Sequence, residues 1–171
     1  ETGVCSVGGE ELRQEEWEID VVLTASQKAI GVPPGLALLV ASERAIAAFE
    51  DRKSPVRNYY ADWGNWLPIM RGYEARHPAY FATPPVNLIC GLGVSLNRII
   101  AEGLDQRIAR HRRLARAFRA GISALGLSQV PTDPDHAANT LTAPRYPRGV
   151  NGKEPVSYTH LRAHETPEHL V

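Results

Sequence analysis

The sequence contains little cysteine, no excess of either charge and no long apolar run. Its two cysteines, Cys5 and Cys90, are too few for a disulfide framework and have no metal-ligating neighbours at close spacing. They are predicted to be small buried residues in a reducing compartment. Basic and acidic residues number 19 each, so no net field attracts nucleic acid or an anionic membrane. No apolar stretch approaches the roughly 20 residues of a membrane span, and no secretory signal is visible.

The apolar residues, 43% of the chain, are sufficient for a packed core. The runs Ile19–Thr24 and Leu36–Val40 are rich in β-branched or apolar residues and predict two buried strands. Neither run alternates with polar residues. We therefore expect an α/β fold in which both faces of the sheet are covered.

Three helices are predicted after these strands. Ser42 is expected to cap the first, which extends to about Arg52, and Thr83 to cap the second, which ends at Gly103. The third is expected over Asp105–Leu125. Residues 53–82 are expected to form a long irregular connection, and residues 139–143 a short strand. The expected core faces of the second and third helices are formed by Ile89, Leu92, Leu96, Ile99, Ile100, Leu104, Ile108, Ala115, Phe118, Ile122 and Leu125.

The last residues of the chain, 155–171, differ from the rest. Residues 156–165 resemble the translation of a sequencing adapter, so the whole segment is expected to be a non-native tail and is excluded from the fold prediction. Its three histidines, His160, His164 and His169, are for the same reason not interpreted as a metal cluster. No metal site is predicted.

Lys28 follows the first predicted strand directly, in a turn of small residues. A lysine that is partly desolvated in such a place favours its neutral, nucleophilic form, which can form a Schiff base. Without further information, a lysine after a strand is more often a solvated strand end.

The residues around Lys28 favour the reactive interpretation. Ser-Gln-Lys-Ala (residues 26–29) followed by Pro-Pro-Gly (residues 33–35) resembles the cofactor-lysine motif of class V pyridoxal-phosphate-dependent aminotransferases. The resemblance is nearest to the alanine–glyoxylate and serine–pyruvate branch and extends from Gly3 to about Gly126. It implies the fold-type I α/β architecture, with a mostly parallel large-domain sheet followed by a smaller C-terminal α/β domain.

The resemblance also implies a cofactor and residue roles. Pyridoxal 5'-phosphate would form a Schiff base with Lys28, which would later transfer protons between the substrate and the cofactor. Gln27 would contact the hydroxyl group of the cofactor ring, and Val4 would pack against the face of the ring.

A second match lies in residues 79–84, Ala-Tyr-Phe-Ala-Thr-Pro. They resemble the loop of the same family that donates a tyrosine and a threonine to the cofactor phosphate of the neighbouring subunit. This implies such roles for Tyr80 and Thr83, and a homodimer with a shared active site. The alternative is that Thr83 only caps a helix and Tyr80 is a half-buried aromatic residue.

The chain also departs from the family pattern. Thr2 stands where the family has the aspartate that pairs with the ring nitrogen, and the family's phosphate loop and substrate-binding arginine are not among the 171 residues. We therefore expect a fragment that is inactive alone. Residues 1–103 would be the end of the large domain with an interface loop, and residues 104–154 the start of the small domain.

The expected reaction is transamination of a small amino acid, alanine or serine, with a 2-oxo acid, glyoxylate or pyruvate. The alternatives are another class V activity, lyase or desulfurase, and an inactive remnant that only dimerises. The resemblance implies a peroxisomal or mitochondrial enzyme, with a cytoplasmic location possible and secretion not expected.

The third helix contains six arginines between residues 107 and 119. They are interpreted as a solvated face and not as a nucleic-acid site.

Overall fold

The computed structural model describes residues 3–151, so Thr2 and the tail at residues 155–171 lie outside the described residues. Two compact units are present, the first ending at His111 and the second beginning at Arg112. The elements are β1 (Val21–Ala25), β2 (Ala37–Ala41), α1 (Glu43–Glu50), α2 (Trp63–Glu74), α3 (Val86–Glu102), α4 (Leu104–Ala124) and a short 3-10 helix (Pro134–His136).

Strands β1 and β2 confirm the two predicted strands and pair antiparallel, with Val21 opposite Ala41. Val22 and Thr24 of β1 are buried. The expectation that both strands are buried is wrong for β2, because Leu39 and Val40 are 47% and 58% exposed. No other strand of the described residues extends this sheet, so the parallel strands that the resemblance implies are not represented in it.

Helix α1 begins as predicted. The Ser42 hydroxyl accepts a hydrogen bond from the Ala45 N–H at 3.1 Å, which satisfies one free donor of the first turn. The same hydroxyl donates to Asp20 at 2.9 Å, and Arg44 binds that carboxylate at 2.7 Å. These contacts attach the start of α1 to the residue that precedes β1.

Helix α2 lies in the segment predicted to be irregular, so that prediction is wrong. Asp62 caps the helix by accepting from the Gly64 N–H at 2.9 Å. The ring of Trp66 packs edge-on against Phe81, with the ring centroids 5.1 Å apart. Pro68 lies inside the helix, where it removes one backbone donor. Aromatic packing with a residue outside the helix therefore supports α2, although the proline inside it is unfavourable.

Helix α3 ends at Gly103 as predicted, where a φ of 82° favours glycine. Its predicted cap is wrong, because the helix begins at Val86 without a side-chain cap. The Thr83 hydroxyl instead lies 2.7 Å from the Tyr80 hydroxyl.

The inward face of α3 is rotated from the predicted one. Ile99 is buried, and with Ile30 and Val32 it forms a hydrophobic cluster against which Leu92 packs. The predicted core residues Ile89, Leu96 and Ile100 are 45%, 39% and 76% exposed. Cys90 is also exposed on this helix and Cys5 is half-buried, so the prediction that both cysteines are buried is wrong. Of the predicted core residues of α3, Leu92 and Ile99 therefore lie against the cluster, and the other three remain exposed.

Helix α4 ends before Gly126, whose φ of 74° confirms the predicted stop. Of its predicted core residues, Ala115 is buried, whereas Leu104, Phe118 and Leu125 are 59%, 60% and 76% exposed. The strand predicted at residues 139–143 does not form. An isolated bridge pairs Gln129 with Pro144 instead. The predicted domain division between residues 103 and 104 remains a prediction.

Candidate active site

Lys28 lies in the connection between β1 and β2, in a segment that we call the lysine turn (residues 26–33). Lys28 and Gln27 are exposed, whereas Ser26, Ile30 and Val32 are buried. The described residues therefore do not enclose the amine, and its partial desolvation remains a prediction for the intact enzyme.

Hydrogen bonds within the turn fix its backbone. The Val32 N–H donates to the Ser26 carbonyl and the Gly31 N–H donates to the Lys28 carbonyl, both at 2.9 Å. Ser26, which is fully buried, donates from its hydroxyl to the Pro33 carbonyl at 2.8 Å. The exposed lysine is thus carried by a backbone with few free conformations.

Two side chains from later helices complete these contacts. The Ser95 hydroxyl of α3 donates to the Ile30 carbonyl. Arg107 of α4 donates from Nη2 to the Ala29 carbonyl at 2.5 Å and from Nε to the Gly8 carbonyl at 2.6 Å. The residues that flank Lys28 are therefore bound by groups that follow it in sequence by more than 60 residues.

Glu102 pairs with both nearby arginines. It accepts from Arg107 Nη1 at 2.9 Å and from Arg110 Nε at 2.5 Å. The hydrogen bond from Arg110, and then that from Arg107, lower the pKa of Glu102 from its ordinary 4.5 to about 2. The interpretation of the α4 arginines as a solvated face is wrong for Arg107, whose side chain is only 13% exposed, whereas that of Arg110 is 39% exposed. The one signal in the sequence was an acid followed five and eight residues later by arginines.

The segment with Val4 lies beside β1. The Gly3 N–H donates to the Leu23 carbonyl at 2.9 Å, and the Thr24 hydroxyl contacts the carbonyls of Gly3 and Val4 at 3.2 and 3.4 Å. Val4 is half-buried. The fold therefore brings the Val4 segment to the strand that leads into the lysine turn.

Tyr80 and Thr83 form a hydroxyl pair before α3. Their oxygen atoms are 2.7 Å apart, and Tyr80 is 70% exposed, so the alternative of a half-buried tyrosine is wrong. No hydrogen bond or ring contact between residues 3 and 151 joins this pair to Lys28. The cofactor roles of Tyr80 and Thr83 remain predictions.

Residues 3–151 contain neither a candidate metal site nor a candidate membrane-spanning helix. No group of three His, Cys, Asp or Glu side chains within residues 3–151 is placed to bind a metal ion. In the same part of the chain, no helix has the length and apolarity to cross a membrane. The histidines of the tail lie outside the described residues.

Known proteins resemble this chain over most of its length, although no protein-family model matches it. It is 43% identical over 144 residues to alanine–glyoxylate aminotransferase 1 of Saccharomyces cerevisiae, an alignment that covers 82% of the chain and 37% of that protein. It is 38% identical over 156 residues to L-aspartate–glyoxylate aminotransferase of Paracoccus denitrificans, covering 91% of the chain and 38% of that protein.

A solved structure extends the likeness to the fold. The alanine–glyoxylate aminotransferase of a Nostoc species superimposes with a TM-score of 0.82 at 32% identity, covering 95% of this chain and 42% of that one. The chain belongs to the class V pyridoxal-phosphate-dependent aminotransferases, and its described residues form a part of their α/β fold. It spans less than two fifths of the length of the Saccharomyces cerevisiae and Paracoccus denitrificans relatives.

Proposed function

We propose that this chain is part of an enzyme that transfers an amino group from a small amino acid, alanine or serine, to glyoxylate or pyruvate. The observation that carries the proposal is Lys28, an exposed primary amine on a turn whose backbone is bonded on both sides of it. The names of the two relatives share glyoxylate and differ in the amino donor, which is alanine in one and L-aspartate in the other. Glyoxylate is therefore the better supported acceptor, and the donor is the point to test.

We infer that pyridoxal 5'-phosphate is the cofactor, and the described residues fit it. An exposed amine suits its aldehyde, and a pair of hydroxyls suits its phosphate. When bound, the cofactor supplies an electron sink for the bond that breaks at the substrate α-carbon. Lys28 would hold the aldehyde carbon and, once released, carry the proton that leaves the α-carbon. Gln27 would hold the ring hydroxyl and Val4 would pack against the ring.

Sodium borohydride reduction of the intact enzyme with pyridoxal 5'-phosphate tests the role of Lys28. Peptide mass mapping should find the label on Lys28, and Lys28→Ala should remove it. The chain provides its own controls, because it contains only two other lysines, Lys53 and Lys153. A label on either of them, with Lys28 unmodified, would refute the assignment. The donor follows from the initial rates with alanine, serine and aspartate at a fixed glyoxylate concentration.

We further propose a homodimer in which Tyr80 and Thr83 bind the cofactor phosphate of the partner. Support comes from the exposed hydroxyl pair and from its lack of a described contact with Lys28 of its own chain. Hydrogen bonds from the two hydroxyls to a charged phosphate contribute about 1.5–3 kcal/mol each. Tyr80→Phe with Thr83→Val should therefore weaken cofactor binding by at least tenfold. Tyr59→Phe, which changes another exposed tyrosine, should leave it unchanged.

Subunit mixing distinguishes a shared site from a site within one chain. At a cofactor concentration far below the dissociation constant of the double variant, a Lys28→Ala subunit and a Tyr80→Phe, Thr83→Val subunit are each expected to be inactive. A mixed dimer has one site with both defects and one intact site, so random exchange should restore about a quarter of the wild-type activity. An absence of restoration, with mixed dimers present by mass spectrometry, would contradict the shared site.

Two alternatives remain for the same lysine. A desulfurase requires a mobile cysteine, and Cys90, the exposed cysteine, is inside helix α3. Sulfide release from cysteine tests this activity, and the corresponding elimination product tests a lyase. The other alternative, an inactive remnant that only dimerises, predicts no label on Lys28.

For the location, we propose the peroxisome or the mitochondrion over the cytoplasm, on the basis of the family resemblance. Imaging of a tagged intact enzyme is the test.

A further inference from the structure

We propose that Arg107 is a positioning residue for Lys28, an inference that rests on the proposed function of that lysine. Arg107 lies near the start of α4, far from Lys28 in sequence. Its guanidinium binds the carbonyl of Ala29, the residue that follows Lys28 directly. It also binds the carbonyl of Gly8, four residues after Val4, whose own carbonyl contacts Thr24 of β1. One side chain thus joins the two segments that would contact the cofactor ring.

The geometry requires an arginine. Three separate acceptors, two backbone carbonyls and the Glu102 carboxylate, are bound by Nη2, Nε and Nη1 of the same planar group. A guanidinium offers five N–H donors in a fixed plane, whereas a lysine ammonium is a single point at the end of a flexible chain. Lysine in this place could reach one or two of the acceptors and would leave the rest unpaired.

The surroundings keep this arginine in place. Its side chain is 13% exposed, and a charge in such a place requires a partner. Glu102 provides the partner and is held ionised over a wide pH range by its second contact, with Arg110.

Arg110 is the matched comparison. It binds the same carboxylate, but both of its described side-chain hydrogen bonds go to Glu102 and neither goes to the lysine turn. If both arginines served only to form an ion pair with Glu102, replacing either one would have the same effect on the lysine turn. A positioning role makes the effect specific to Arg107 and local to the lysine turn.

The function of the restraint follows from the position of Ala29. Binding its carbonyl fixes the peptide between Ala29 and Ile30, and the Gly31 N–H binds the Lys28 carbonyl at 2.9 Å. The backbone on the C-terminal side of Lys28 is thus restrained, and the lysine side chain begins from one defined position. Covalent attachment to a cofactor depends on the amine approaching the aldehyde along a narrow range of directions. We therefore expect loss of Arg107 to slow the attachment and to leave the affinity of the phosphate contacts unchanged.

The test compares Arg107→Gln, Arg107→Lys and Arg110→Gln in the intact enzyme. In the cofactor-free protein, hydrogen–deuterium exchange of residues 26–33 should accelerate on the order of tenfold in Arg107→Gln, the effect of losing a hydrogen bond to a charged donor. Arg107→Lys should give a smaller acceleration of the same peptide, and Arg110→Gln should match the wild type there. After addition of pyridoxal 5'-phosphate, the rate at which borohydride-trapped label accumulates on Lys28 should fall in the same order.

The outcomes separate the two proposals. If the wild-type enzyme is not labelled on Lys28, the proposed function fails, and the exchange measurement still decides whether Arg107 restrains the turn. If Lys28 is labelled, but Arg107→Gln exchanges and is labelled like the wild type, the positioning role is overturned. Equal acceleration over the whole chain, or equal effects of Arg107→Gln and Arg110→Gln, would also overturn it. Should Arg107→Gln fail to fold, the comparison of Arg107→Lys with Arg110→Gln decides in the same way.

Discussion

The hydroxyl of Ser26 donates to the carbonyl of Pro33 at 2.8 Å and so links the two ends of the lysine turn. The same oxygen accepts from the Leu36 N–H at 3.3 Å, just before β2. Ser26 is fully buried, so its hydroxyl depends on these two bonds for its hydrogen-bond partners. The serine of the Ser-Gln-Lys-Ala motif therefore has a definite structural task, which is to close the connection that presents Lys28.

Replacing Ser26 with alanine should destabilise the chain by about 1–3 kcal/mol, because two part-buried hydrogen bonds, to the Pro33 carbonyl and from the Leu36 N–H, are lost. Urea unfolding followed by circular dichroism measures the change. Ser123→Ala, at an exposed position of α4, is the control and should change the free energy of unfolding by less than about 0.5 kcal/mol. Equal effects of the two substitutions would show that the Ser26 bonds contribute nothing.

Two glycines should respond to alanine with opposite signs. Gly35 has a φ of 136°, and an added Cβ would lie 2.6 Å from Leu88 Cδ1. The leucine methyl group can move away, but the backbone strain remains, so Gly35→Ala should destabilise by about 1–3 kcal/mol. Gly93 lies inside α3 with open space around it, and Gly93→Ala should stabilise by about 0.5–1 kcal/mol. Thermal unfolding midpoints that move in the same direction would contradict this.

The free energy of unfolding should fall at low pH because Glu102 becomes protonated. Its pKa is lowered in the folded chain from 4.5 to about 2, so the folded state binds the proton more weakly than the unfolded state. Its contribution is complete above about pH 4.5 and is lost as the pH falls towards 2. Urea unfolding between pH 6 and pH 2.5 should show a smaller acid dependence in Glu102→Gln than in the wild type. Glu74→Gln, at an exposed position, is the control and should leave the profile unchanged.

Local signals in the sequence predicted most of the elements. The Ser42 cap, and Gly103 and Gly126 as helix ends, all act through hydrogen bonds or backbone angles of neighbouring residues. Helix α2 was not predicted because the three prolines and two glycines of residues 53–82 favour irregular structure, and the aromatic packing that supports the helix is tertiary. The inward face of α3 depends on what it packs against, which periodicity alone does not determine.

In the candidate site, too, the features that depend on neighbouring residues could be predicted and those that depend on distant residues could not. Lys28 and Gln27 could be found because the motif is contiguous in the sequence. The contact of Arg107 with Ala29 spans 78 positions, and no local pattern connects them. The exposure of Lys28 was also not predicted, since it depends on which parts of the fold cover the turn.

The chain by itself should not catalyse transamination, for reasons visible in the described residues. Lys28 and Gln27 are exposed, and Tyr80 is 70% exposed, so water reaches these three proposed cofactor contacts. Catalytic charges are far less effective in such a solvated site than in a closed one. The exposed apolar residues of α3, among them Val86, Ile89 and Ile100, also favour aggregation of the isolated chain.

The measurement is pyruvate release from alanine and glyoxylate, with the purified chain compared to free pyridoxal 5'-phosphate. We expect equal rates, and we expect Lys28→Ala to have the rate of the unsubstituted chain. In the intact enzyme the same substitution should abolish turnover, because covering the site is what makes the amine effective. A chain rate clearly above that of the free cofactor, and lost in Lys28→Ala, would mean that these residues suffice for a working site.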